Sequence, residues 1–122
     1  MQNQDAKADN GKAKLSLVPR QMLYGIARIR EYGIKKYPKG GSDNFKNVEV
    51  ERFRDALFRH LCLYLDDPKG VDEESGYPHI WHLCCNAAIC CELENLNEKD
   101  YPKKEVQYID DVEIHVRSKE EK

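Results

Sequence analysis

The chain has 122 residues, 40% hydrophobic and 34% charged, with 20 basic against 22 acidic side chains. That length holds one compact domain with a small core, so a second copy of the chain is expected to help complete it. Near-balanced charge gives no global field for duplex nucleic acid, and no apolar run approaches the ~20 residues needed to cross a bilayer, so neither duplex nor membrane is an expected partner.

Residues 1–13 are polar and aperiodic, expected to lack fixed structure, and without the hydrophobic stretch of a secretion signal. The first predicted helix covers about 19–36. Pro19 suits its start, and Met22, Leu23, Ile26, Ala27, Ile29 and Ile34 recur at three- and four-residue steps. Pro38, Gly40 and Gly41 stop it. The second helix, about 49–66, has Val50, Phe53, Leu57, Leu61 and Tyr64 as its apolar stripe. Asp67, Pro68 and Gly70 break the chain, and an acidic stretch leads to Pro78 and a third helix, about 78–95, packing through Ile80, Leu83, Ala87, Ala88, Cys91 and Leu93. Beyond it, alternation over Val112 to Val116 suits one short strand. The expected fold is therefore all-α: a small bundle of three helices over residues 14–95, with a C-terminal extension, 96–122, that carries the strand.

Five cysteines, an odd count without a signal peptide, point to reduced thiols and the cytoplasm. Cys84, Cys85, Cys90 and Cys91 fall in the third helix, where adjacent side chains diverge by about 100° and pair poorly, so they read as small core residues. His79, His82 and Cys85 have a spacing that zinc uses, but no CxxC or HExxH accompanies them, and core packing is the preferred reading.

Polar residues gather on two of the helices. Glu51, Asp55 and Arg59 follow at i,i+4 steps on the second, with His60 beside them; His79, His82 and Asn86 line one face of the third; Glu73 and Glu74 precede it. A solvated, ion-paired face is the ordinary meaning of such a charge row, and a lone histidine is ordinarily a core residue. Asn86, amid Cys84, Cys85, Ala87 and Ala88, needs a hydrogen-bond partner if buried. If the two helices turn these faces to one hollow, the carboxylates suit a hard divalent cation and Arg59 suits phosphate oxygens.

With those residues in view, the sequence resembles the phage family of dATP/dGTP diphosphohydrolase N-terminal domains. The likeness runs through Lys14 and Pro19, Arg30 to Gly33 with Lys36 and Tyr37, Asn44 and Phe45, Glu51 to Leu57 with Arg59 and His60, and Asp72 to His79 with His82 and Asn86. The resemblance implies a helical hydrolase that converts a purine deoxynucleoside triphosphate to monophosphate and pyrophosphate, in the host cytoplasm if phage-encoded. It also implies kinship in style with all-α MazG-like pyrophosphohydrolases. Their EExxE and ExxD carboxylates are not matched here, since His79, His82 and Asn86 stand where carboxylates would.

On that reading Glu51, Asp55 and Glu74 hold Mg²⁺, with Mn²⁺ as its substitute, and His60 or His82 accepts the proton of the attacking water, so that Asp55, His60 and His82 are the catalytic set. Arg59, Lys14 and Lys36 neutralise phosphates, Tyr37 and Phe45 stack on the base, and Asn44, Asn86 and His79 complete the substrate site. The alternative is a non-catalytic phage protein that captures a nucleotide or cyclic-nucleotide signal.

Overall fold

A computed structural model describes residues 11–101 and 104. Its main elements are α1 (Arg20–Lys36), α2 (Val50–Asp66) and α3 (His79–Leu93), and no strand occurs among the described residues. The alternating segment Val112 to Val116 and residues 1–10 lie outside them.

Both expected first-turn prolines stand one position before their helix. Pro19 and Pro78 have extended ψ values of 130° and 143°, so they cap α1 and α3 from outside while their carbonyls accept the first helical N–H groups. α1 ends where Pro38 follows Tyr37, and Gly40 turns the chain at a left-handed φ of 93°. The 3-10 segment Gly41–Asn47 comes next, kinked at Asp43. α3 ends two residues before its expected limit because Asn95 takes φ 56°, with the Leu96 N–H donating to the Cys91 carbonyl and the Asn95 N–H to that of Glu92. This is a Schellman stop with asparagine in the usual place of glycine.

α3 is the central helix, packed on both α1 and α2, while the 3-10 segment packs on α1. Ile29, Cys85 and Ile89 form the buried centre, flanked by Ile26, Phe45, Phe53, Tyr77, Trp81 and Leu93. α1 and α3 approach closely at Gly25, where a Cβ would lie 2.5 Å from Cγ of Trp81.

Cysteine burial differs from the sequence reading. Only Cys85 is buried; Cys84 and Cys90 are intermediate, and Cys62 and Cys91 are exposed. A central helix with two partners still leaves one side open, and Cys91 is on it.

Candidate functional site

A tight hairpin joins α2 to α3. The Asp72 N–H donates to the Tyr77 carbonyl at 2.8 Å and the His79 N–H to the Gly70 carbonyl at 3.1 Å, with Val71 and Pro78 bridged antiparallel. Inside it, Ser75 N–H donates to Asp72 Oδ2 at 2.9 Å, an Asx-type turn that Gly76 completes at φ 76°. The hairpin thereby delivers Asp72 and Ser75 to the histidines of the neighbouring helices.

His60 of α2 and His79 and His82 of α3 are all buried, at 6%, 9% and 9% exposure. The His60 and His82 rings stack with centroids 4.5 Å apart, and His60 Nδ1 lies 3.0 Å from His79 Nδ1. His82 Nε2 is 2.7 Å from Ser75 Oγ and 3.7 Å from Asp72 Oδ2. Burial, reinforced by the neighbouring His82 and His79, pushes His60 down to about 4. Burial also lowers His82, against the pull of Asp72. Both rings are therefore neutral at neutral pH, each with a lone pair for a proton or a metal ion. Burial works to raise the Asp72 carboxyl, but hydrogen bonds from Ser75 and the nearby His82 and His60 outweigh it, so Asp72 stays below its ordinary value and ionised. Ligand atoms of His60, Asp72 and His79 all lie within 4.8 Å of one another.

On the other side of His82, α1, the 3-10 segment, the start of α2 and α3 enclose a cleft of about 460 Å³. Arg30, Lys39 and Arg52 border it with the rings of Tyr37, Phe45 and Phe53 and the amides of Asn44 and Asn86. Among the described residues no carboxylate lines it. The Arg30 guanidinium lies 4.8 Å over the Phe45 ring and donates to Asn44 Oδ1 and the Ser42 carbonyl. Lys39 and Arg52 have no ion-pair partner among the described residues. Cys85 also borders the cleft, but burial pushes its thiol up to about 11, so it stays protonated and is no nucleophile at neutral pH.

The structure brings His82, Asn86, Tyr37, Asn44 and Phe45 together around this one cleft, while His60 and His79 stand behind His82. Asn86 Nδ2 donates to the His82 carbonyl at 2.9 Å, and its Oδ1 is left for another donor. Asn44 is spent on the fold instead, accepting from Arg30 and donating to the carbonyls of Gly33 and Tyr37. Glu51, Asp55 and Arg59 are exposed on α2 and outside the cleft, as Lys14 is ahead of the 3-10 turn Leu15–Leu17. Lys36 forms a salt bridge with Glu74, which is the first cause of its ammonium being pushed up to about 12. A hard divalent ion needs its oxygen ligands at one point. Glu51 and Asp55 on the outer side of α2 and Glu74 engaged by Lys36 do not supply that point, so these residues do not fit a magnesium centre.

Arg30, Arg52, Asp72 and Ser75 lie in segments that carry the family resemblance, and Lys39 in the loop between the first two helices, but the sequence reading assigned none of them a role in the site. The signal for Asp72 and Ser75 was present in Asp72-x-x-Ser75-Gly76, which reads as a turn whose aspartate caps its own backbone.

No solved structure matches the chain. It is 37% identical over 76 residues to a protein of Salmonella phage PMBT28 named dATP/dGTP diphosphohydrolase. The match takes in 62% of this chain but 25% of that relative, so the chain spans about a quarter of the relative's length. The family described as dATP/dGTP diphosphohydrolase, N-terminal, matches residues 2–104. With the match covering most of its length, this chain belongs to that family.

Proposed function

We propose that the cleft binds a purine deoxynucleoside triphosphate and that the chain takes part in its hydrolysis to monophosphate and pyrophosphate. The observation that carries this reading is the lining: cationic Lys39 and Arg52 without paired carboxylates, aromatic rings, and the Asn86 amide around one cavity. Arg52 and Lys39 neutralise phosphate oxygens, Phe45 or Tyr37 stacks on the base, and Asn86 Oδ1 accepts from its edge. Water attacks the α-phosphorus, the bond to the β-phosphate oxygen breaks, and neutral His82 takes the water's proton as pyrophosphate leaves. Magnesium, or manganese in its place, belongs to this reading as the ion carried by the triphosphate, in the host cytoplasm. The phage relative's name supports the substrate class, while the match to only 25% of that relative makes the activity of the whole a proposal for this chain.

A second reading, capture without cleavage, is favoured by a cleft lining that holds no carboxylate among the described residues. Incubation of the full chain with dATP, dGTP, dCTP and dTTP, each with Mg²⁺, followed by chromatography before and after denaturation, separates the two. Monophosphate and pyrophosphate are expected with the purines. Arg52→Ala should weaken binding about tenfold, and His82→Asn should cost about 10²-fold in turnover with binding retained. Intact nucleotide released on denaturation would replace hydrolysis by capture, and a Tm unmoved by every nucleotide would remove both readings.

The same proposal includes assembly with a second copy of the chain. Phe58, Cys62 and Leu65 form an exposed apolar row along α2 that a second copy would cover.

A further inference from the structure

We infer that His60, Asp72 and His79 form a binding site for one borderline divalent transition-metal ion, zinc-like in its ligand preference, seated between α2 and α3 behind the cleft. The inference goes beyond nucleotide binding and stands whether or not the cleft takes a nucleotide. Two nitrogens each ~2.1 Å from one ion lie about 3.0 Å apart at a right angle and about 3.4 Å apart at the tetrahedral angle. The two Nδ1 atoms are 3.0 Å apart, and a ring nitrogen of each histidine and an Asp72 oxygen all lie within 4.8 Å of one another. Small side-chain rotations therefore suffice to close the set around an ion.

The surroundings point the same way. His60 and His79 are buried and Asp72 half-buried, so the donors are shielded from water, and a neutral imidazole is the form that ligates. Asp72 is oriented by the Ser75 N–H, and His60 is fixed by the stacked ring of His82. Such outer partners hold ligands in place. Two imidazoles and one carboxylate favour zinc, cobalt or related ions over magnesium and calcium, which take oxygen. Three protein ligands leave at least one position for water, and His82 lines the cleft on one side while touching this cluster on the other.

The test uses the full chain stripped with chelator, then titrated with Co²⁺ and competed with Zn²⁺ or Mg²⁺. One cobalt per chain is expected, with visible d–d bands, displacement by zinc and none by magnesium at equal concentration. Asp72→Asn combined with His79→Gln should weaken cobalt binding by about tenfold or more. If that variant does not fold, proton NMR of the wild-type chain decides, since bound Co²⁺ should shift or broaden the ring resonances of His60 and His79. Absence of stoichiometric binding, unchanged affinity in the folded variant, unaffected histidine resonances, or thiolate-to-cobalt bands from the cysteines would each overturn the site. Nucleotide retention is measured separately on stripped and loaded chain, so either reading can fail alone.

Discussion

At the scale of single residues, His60 sets how the fold responds to acid. Its ordinary value of 6.5 applies to the unfolded chain, whereas burial beside His82 and His79 holds it at about 4 in the folded one. Between those values the unfolded chain binds more protons, so stability is fully present above the unfolded value and is lost as pH falls through the folded one. Chelator-treated protein should therefore show a Tm that declines from pH 6.5 toward 4, each ~1 kcal/mol amounting to about 4–8 °C in a domain of this size. His60→Gln should flatten the upper part of that decline, where carboxylates do not yet titrate. A wild-type Tm that stays level across the window would show that the imidazole is not shielded. The sequence offered His60, His82 and Asn86 as polar residues near apolar stripes, and each is at or beside the cleft. It misdirected attention to Glu51 and Asp55. Taking Phe53 as the centre of the buried stripe, both stand two positions away, about 160° around the helix, so their outward orientation followed from the helical repeat itself. What pattern alone did not supply was the pairing of Asp72 with His82, because a hairpin's path between two helices is set by backbone hydrogen bonds that periodicity does not encode.

The elements themselves were legible because local chemistry and burial agree. Pro19 and Pro78 mark two helix starts and Pro38 with Gly40 marks a stop, so observed limits fall within two residues of expectation. The approach of α1 to α3 was not legible, since it depends on one glycine facing one tryptophan across the bundle. Gly25 and Gly33 both lie in α1, and their substitution by alanine should have opposite signs. At Gly25 the added methyl meets the Trp81 indole at 2.5 Å, and overpacking of about 1–3 kcal/mol outweighs the ~1 kcal/mol that alanine gains in a helix. At Gly33 an added Cβ would meet nothing within 4 Å among the described residues, so the helical gain should appear alone. Urea titrations of the two variants measure both effects, and a Gly25→Ala variant as stable as the parent would mean that α1 and α3 are not closely seated there.

On the scale of the whole molecule, three of the described residues carry the buried apolar centre, while Phe58 and Leu65 remain 65% and 67% exposed. Sedimentation velocity should show an assembly larger than one chain, and Phe58→Glu should shift it toward the single chain with helix content retained. A wild-type chain that sediments as one copy at high micromolar concentration would remove the assembly. The cleft and the histidine cluster also differ in how much of the fold each requires. The cleft draws on all three helices, from Ile29 to Ile89, and exists only once α1 has docked. The cluster is confined to the α2–α3 hairpin, with His60 and His79 only 19 positions apart. An ion gripping both ends of that stretch would act as a clip on a short loop, cutting the freedom of the open chain by an amount that loop length governs. The hairpin would then survive loss of its neighbour, and denaturant would empty the nucleotide-sized hollow before it released the metal.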